Sequence, residues 1–129
     1  MIGMHDSNSA TSPPRTAVTT SLSGWGNYPV LDCPQFFQRQ VDSIRSLLLD
    51  QQSSSLIARG LGRSYGDSSI NVDGVLNQTS RNRFLSFDSE TGLLHCEAGV
   101  SLDEVVQAVL PQGWFLPTTP GTKFVTIGG

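Results

Sequence analysis

The sequence contains few cysteines and no long apolar run. Its two cysteines, Cys33 and Cys96, lack metal-ligand spacing, which excludes a disulfide framework and a zinc site. We expect both to behave as small, half-buried apolar residues. No apolar run approaches the ~20 residues that a membrane-spanning helix needs. Residues 1–21 also lack the apolar core of a secretory signal. The sequence therefore predicts no transmembrane segment and favours a cytoplasmic location.

The sequence also lacks an excess of basic residues. It carries 8 Lys and Arg residues against 11 Asp and Glu residues, which gives a net charge of −3 at pH 7. Nucleic-acid-binding domains usually carry a basic excess, so this balance argues against a nucleic-acid partner. The hydrophobic share of 37% is ordinary for a globular protein. A chain of 129 residues is long enough for one domain with its own core.

Large apolar residues are scarce at the N-terminus. Residues 1–21 are rich in Ser, Thr and Pro, which predicts a flexible leader, and residues 22–129 form the predicted domain. At the other end, residues 125–127 are apolar or β-branched and lead into Gly128 and Gly129. A strand that leads into a glycine turn normally continues into a partner element. We therefore expect a chain that is truncated after Gly129.

One helix and one strand are predicted in the first part of the domain. The string Asp-Cys-Pro at residues 32–34 is typical of a helix start, with the proline in the first turn. Apolar residues then recur at helical spacing up to about Asp50, and they are Phe37, Val41, Ile44 and Leu48. The string Leu-Ile-Ala at residues 56–58 predicts a short buried strand.

A hairpin and a second helix are predicted further along the chain. Residues 84–98 contain two apolar or alternating runs around a turn, which predicts a β-hairpin. Ser101 and Glu104 form a capping box, and the helix that it opens ends at Pro111. Residues 113–117 follow as an extended segment. The order helix, strand, glycine loop, hairpin, helix and strand predicts a mixed α+β fold.

The string ARGLGRSYGD, residues 58–67, is the glycine loop of this order. Its glycines, at positions 60, 62 and 66, permit the φ values that aim successive backbone N–H groups at one point. Arg59 and Arg63 add charge that can pair with phosphate. The loop is therefore a candidate phosphate cradle, and a glycine-rich turn with solvated arginines is the alternative without a ligand.

The spacing of the glycine loop excludes the two familiar nucleotide loops. A dinucleotide fingerprint needs GxGxxG at the start of a helix, whereas Gly62 and Gly66 are one residue too far apart and no helical periodicity follows. The Walker string GxxxxGK[ST] does not occur in the chain. A second glycine segment, PGTKFVTIGG at residues 120–129, adds another place where backbone can approach a ligand. Together the two segments predict a ligand held between two backbone surfaces.

In order and spacing, the strings LSGWGNYP, ARGLGRSYGD, GVSLDEVVQAVLPQGW and PGTKFVTIGG resemble the FAD-binding domain of the vanillyl-alcohol-oxidase and para-cresol-methylhydroxylase type. Within that superfamily they are most similar to the decaprenylphosphoryl-ribose 2′-oxidase group. The likeness runs from about Leu22 to the last residue. It implies two small α+β subdomains, present here only in part, with FAD between them and its diphosphate on the glycine loop.

The resemblance also implies which residues contact FAD. The first set lines the diphosphate and ribityl region: Ala58, Arg59, Gly60, Leu61, Gly62, Arg63, Ser64, Tyr65, Gly66, Asp67 and Ser68. The second set supplies the opposite wall: Gly121, Thr126, Ile127, Gly128 and Gly129. Among these residues, Tyr65 is as well explained by packing in the core as by packing against the cofactor.

Two departures from the family pattern bear on the flavin. Many members carry a histidine that bonds covalently to the flavin where this chain has Arg63, so the resemblance implies noncovalent FAD. His5 and His95 are expected to be ordinary surface or packed histidines. Residues 72–74 stand where relatives have a glycine run, which leaves the exit from the glycine loop undefined.

The resemblance implies an FAD-dependent oxidoreductase that oxidises a hydroxyl group of a small-molecule, sugar or sugar-lipid substrate. Two alternatives remain: a non-catalytic nucleotide- or phosphate-binding module, and a fragment without activity of its own. No residue is assigned as the catalytic base, which the family places after the region present here. Asp67 follows the phosphate loop, and Asp103 and Glu104 are explained by helix capping.

Overall fold

The first lobe is a four-stranded sheet with one helix, seen in a computed structural model that describes residues 16–49 and 55–128. The strands are β1 (Val18–Leu22), β2 (Leu31–Phe36), β3 (Ile57–Arg59) and β4 (Val75–Asn77), and the helix is α1 (Val41–Leu49). The order across the sheet is β1-β2-β4-β3. β1 pairs antiparallel with β2, and β4 runs parallel to both of its neighbours. The predicted strand at residues 56–58 thus corresponds to β3.

The predicted helix start at residues 32–34 is wrong, because this stretch belongs to β2 and α1 begins only at Val41. β2 lies between β1 and β4 and buries Cys33 and Gln35 on alternate positions. The Gln35 amide is satisfied across the sheet, since it donates to Thr20 Oγ1 at 2.6 Å and accepts from Asn77 Nδ2 at 2.9 Å. These partners are distant in sequence, so strand pairing overrides the local helix signal.

The predicted apolar face of α1 is also partly wrong. Leu47 is the residue that α1 buries, with 2% of its surface exposed, and it packs with Phe36 and Leu76. Of the predicted face, Ile44 lies against this cluster, whereas Phe37, Val41 and Leu48 are exposed. The end of the predicted leader, residues 1–21, overlaps β1. Residues 1–15 lie outside the described residues.

The second lobe is the predicted hairpin packed on the second helix, and both predictions are confirmed. The strands are β5 (Phe84–Asp88) and β6 (Leu93–Cys96), and the helix is α2 (Leu102–Val109). Both halves of the capping box are present, because the Ser101 hydroxyl accepts the Glu104 amide while the Glu104 carboxylate accepts the Ser101 amide. Val105 and Val109 are buried with Val100, and Trp114 packs against this cluster. The lobe therefore has a core of its own.

The two predicted extended segments do not form regular strands within the described part of the chain. Residues 113–117 follow a short 3₁₀ helix, Leu110–Gln112, without strand pairing. Residues 125–127 form a single bridge, between Ser101 and Thr126. Their backbone follows the N-terminus of α2 closely, since the Leu102 amide donates to the Val125 carbonyl at 2.9 Å. The mixed α+β prediction is confirmed, with a final strand reduced to this bridge.

Glu97, directly after β6, is bonded to the segment that leads from the first lobe into β5. Its carboxylate accepts two side-chain hydrogen bonds from Arg83, at 2.9 and 3.2 Å, and one from the Arg83 amide at 3.0 Å. Arg81 approaches the same carboxylate at 3.6 Å. The side-chain and backbone hydrogen bonds from Arg83 lower the pKa of Glu97 to about 2. Within the residues described, no helix has the length and apolarity to cross a bilayer.

Candidate functional site

A cavity of about 390 Å³ lies where the glycine loop of the first lobe faces residues 125 and 126 of the second lobe. It is lined by Ala58, Gly60, Leu61, Gly62, Arg63, Ser64, Ser68, Ser69, Val125 and Thr126. Its volume falls in the range of ~300–1,000 Å³ that is usual for small-molecule sites. Residues from both glycine segments thus line one cavity, and their contact with a ligand stays a prediction.

The backbone amides of the glycine loop are available to a ligand. Among the described residues, the amides of residues 61–65 donate no hydrogen bond. Gly62 and Gly66 have φ values of +68° and +59°, which other residues rarely adopt. A run of unpaired amides beside a cavity can donate to an anionic ligand that enters it.

The Arg59 side chain faces away from the cavity, although the sequence predicted a cofactor contact for it. Its guanidinium donates to the Ser23 carbonyl at 2.8 Å and to Ser69 Oγ at 3.0 Å. Burial lowers the pKa of Arg59, and the neighbouring charge of Arg63 lowers it further. A Cβ atom added at Gly62 would lie 2.2 Å from the Arg59 guanidinium. Arg59 therefore supports the loop from behind.

Arg63 lines the cavity and belongs to the run of residues whose amides are unpaired. In this structure its guanidinium donates to the Leu61 carbonyl and lies 5.6 Å from the centroid of the Trp25 ring. Such a cation over an aromatic face is weakly held. The side chain can therefore turn towards an anion in the cavity, which makes Arg63 a candidate phosphate partner.

The second wall, residues 125–128, differs from the glycine loop in that two of its backbone amides are hydrogen-bonded within the protein. The Ile127 amide donates to the Val100 carbonyl at 2.8 Å, and the Gly128 amide donates to the Ala98 carbonyl at 2.9 Å. These amides are therefore committed to the protein. Val125 and Thr126 line the cavity with their surfaces, and Thr126 is 5% exposed.

Among the described residues, the other predicted contacts do not line this cavity. Tyr65 is 75% exposed, which excludes the core alternative for its ring. Asp67 forms the turn into Ile70 through its carbonyl. Gly121 lines a separate cavity of about 330 Å³ beside Phe115. Ile127 lines another cavity, against Trp114, and Gly128 packs on Ala98. Gly129 lies outside the described residues.

Three contributors to the site were missed by sequence reasoning. Ser69 and Val125 line the cavity, and Ser69 Oγ accepts a hydrogen bond from Ser64 Oγ at 2.9 Å. Trp25 donates its amide to the Ser64 carbonyl at 2.8 Å. The hydrogen bond between the two serines could have been predicted from the sequence, because Ser64 and Ser69 stand on either side of the turn at Gly66. The contact of Trp25 has no signal in the local sequence, because it joins residues almost forty positions apart.

The carboxylates of Asp103 and Glu104, at the start of α2, have partners of their own. Hydrogen bonds from Lys123 and Gln107 lower the pKa of Asp103. The Ser101 amide and hydroxyl lower the pKa of Glu104. No carboxylate side chain lines the cavity among the described residues. No group of three or more metal-ligating side chains occurs in them either. The cavity thus offers N–H donors, hydroxyls and a guanidinium, which fit the diphosphate of a nucleotide cofactor.

The chain belongs to a family of FAD-binding domains, whose sequence model matches residues 41–129. FAD is accordingly its cofactor, and the resemblance predicted from the two glycine segments is confirmed. A decaprenylphosphoryl-β-D-ribose oxidase from Mycolicibacterium smegmatis is 41% identical over 119 residues, which cover 86% of this chain. A D-lactate dehydrogenase from Anaerostipes hadrus is 34% identical over 64 residues, which cover 50% of this chain and 14% of that protein.

Solved structures show the same fold at low sequence identity. Cholesterol oxidase from Brevibacterium sterolicum matches 98% of this chain and 26% of its own, with a TM-score of 0.70 at 15% identity. An alkyldihydroxyacetonephosphate synthase matches 76% of this chain and 20% of its own, with a TM-score of 0.61 at 16% identity. The chain spans 25% of the length of the ribose oxidase relative.

Proposed function

We propose that this chain is the FAD-binding part of an FAD-dependent oxidoreductase that oxidises a hydroxyl group of a sugar or sugar-lipid substrate. The observation that carries the proposal is the row of unpaired amides at residues 61–65 beside a cavity without carboxylates. When bound, FAD supplies the hydride acceptor for oxidation of a carbon that bears a hydroxyl group.

The role of this chain in that reaction is to bind and orient the cofactor. The amides of residues 61–65 would donate to the diphosphate, and Arg63 would neutralise part of its charge. Val125 and Thr126 would close the opposite side and exclude water. Gly121 and Ile127 line neighbouring cavities and would contact other parts of so long a cofactor.

The flavin is proposed to be held noncovalently. Arg63 stands where many relatives place the histidine that bonds to the flavin, and a guanidinium does not form that bond. Among the residues described, those that line the cavity include no His, Cys or Tyr. His95 lies in β6, on the hairpin. The donors that remain are suited to hydrogen bonds and ion pairing with phosphate.

The substrate class is proposed from the relatives. The name of the mycobacterial relative specifies a phosphorylated sugar lipid, and the other two named oxidoreductases act on lactate and cholesterol. All three substrates carry an oxidisable hydroxyl group. Because 41% identity links this chain to the first of them, a sugar or sugar lipid is the substrate class that we propose.

Spectra of the purified protein test the cofactor and its attachment. The protein is expected to be yellow, with absorbance maxima at about 370 and 450 nm. After acid precipitation the yellow flavin should remain in the supernatant, and flavin in the pellet would contradict noncovalent binding. Protein that binds ADP but never flavin would instead support the non-catalytic nucleotide-binding module.

A further inference from the structure

The glycine loop is held from outside by a segment that precedes the region matched by the family model. Residues 23–25, here called the buttress, lie against the loop although more than thirty positions separate them in sequence. The family model begins at residue 41, so the match does not include them. Their contacts are with the stretch of backbone that carries the unpaired amides.

The buttress fixes the direction of one peptide group in the loop. The Trp25 amide donates to the Ser64 carbonyl at 2.8 Å. In a trans peptide the carbonyl and the following N–H point in opposite directions. Anchoring the Ser64 carbonyl on the buttress therefore turns the Tyr65 amide away from it and leaves that amide free to donate elsewhere.

Gly24 allows this approach because it has no side chain. A Cβ atom at Gly24 would lie 2.5 Å from the Ser64 carbonyl oxygen and 2.6 Å from the Gly66 carbonyl oxygen. Both obstacles are backbone atoms, which cannot rotate away as a side chain would. At Gly26, one residue beyond Trp25, an added Cβ would meet nothing within 4 Å. The close approach is thus confined to one glycine of the turn.

Arg59 ties the buttress to both ends of the loop. Its guanidinium bonds the Ser23 carbonyl on one side and Ser69 Oγ on the other, and Ser69 Oγ in turn accepts from Ser64 Oγ. A lysine has one ammonium group and cannot span both partners as the planar guanidinium does. This network holds a loop in which the amides of residues 61–65 make no hydrogen bonds among the described residues.

We propose that the buttress fixes the glycine loop in its anion-binding conformation and that Arg59 is the positioning residue which connects them. The proposal rests on the function proposed above, since the anion is the diphosphate of FAD. It assigns a part of the cofactor site to residues 23–25 and removes Arg59 from the direct contacts of FAD. The effect on FAD should therefore be indirect, through the direction of the loop amides.

The test compares Gly24→Ala with Gly26→Ala in the full chain. Each protein is stripped of flavin and then titrated with FAD, and the thermal midpoint of the stripped protein is measured separately. Gly24→Ala should raise the Kd for FAD about tenfold or more, which is the loss expected when one charge-assisted hydrogen bond is weakened. Gly26→Ala should leave the Kd unchanged. A purely structural role would lower the thermal midpoint of Gly24→Ala and leave its Kd at the wild-type value, and that result would overturn the proposal.

If Gly24→Ala does not fold, Arg59→Lys provides the test. This variant retains the charge but loses the planar guanidinium, so it should raise the Kd for FAD, and a wild-type Kd would contradict the proposal. Failure of both variants to fold would also overturn it, because the contacts would then serve the fold and not the loop. If the unmodified protein binds no FAD, the proposed function is wrong. If it binds FAD and the two glycine variants have equal Kd values, only the proposal about the buttress is wrong.

Discussion

The two walls of the cavity use their backbone amides in opposite ways. On the glycine loop the amides of residues 61–65 have no partner among the described residues, and two glycines there adopt positive φ. On the second wall the amides of Ile127 and Gly128 donate to Val100 and Ala98. The glycine loop thus offers a row of five amides to an anion, and we expect the other wall to contribute mainly shape. Changes on the two walls should therefore have different consequences.

Gly62→Val should have the largest effect, because it breaks the wall that binds the anion. A β-branched residue is strained at φ +68°, and its Cβ would collide with the Arg59 guanidinium. We expect FAD retention to be abolished, as measured by flavin absorbance of the purified protein. Gly26→Val is the matched control, since its Cβ would meet nothing within 4 Å. If Gly62→Val retained FAD at wild-type affinity, the result would support the alternative that the loop is a glycine-rich turn without a ligand.

Gly128→Val tests the second wall and should have a smaller effect. Its Cβ would lie 2.8 Å from the Ala98 Cβ, so the wall must shift outwards. Overpacking of this kind costs ~1–3 kcal/mol, and we expect FAD to bind about tenfold more weakly. Titration of flavin-stripped protein measures the change. Complete loss of FAD binding, as expected for Gly62→Val, would show that the second wall contributes binding contacts as well as shape.

The sequence predicted those parts of the two lobes that depend on neighbouring residues. The capping box at Ser101 and the hairpin are local, and the structure confirms both. The start of α1 was wrong because β2 forms through pairing with β1 and β4, which no local pattern reveals. The glycines of residues 58–67 predicted a ligand-binding loop, and several of these residues line the cavity. The direction of the Arg59 side chain could not be predicted in this way, because it depends on a hydrogen bond to Ser23, 36 residues earlier.

Glu97→Gln tests the ion pairs at the base of the hairpin through their dependence on pH. The pKa of Glu97 is about 2 in the folded protein against an ordinary value of 4.5. Ionised Glu97 therefore contributes stability that is fully present above pH ~4.5 and is lost as the pH falls through about 2. The wild type should have the higher thermal midpoint at pH 7, and the two midpoints should converge near pH 2. A difference that is constant across this range would contradict the ion-pair explanation.

Ser101→Ala should have the smallest effect, because it removes a helix cap and leaves both walls in place. The Ser101 hydroxyl accepts the Glu104 amide at 3.2 Å at the start of α2. Loss of such a cap costs about 1 kcal/mol, which the midpoint of urea unfolding measures. Ser86→Ala is the control, since Ser86 is an exposed residue of β5 whose loss should change stability by less than ~0.5 kcal/mol. FAD affinity should stay close to that of the wild type. If it falls as far as in Gly128→Val, the bridge between Ser101 and Thr126 positions the second wall, and shape at that wall depends on the helix cap.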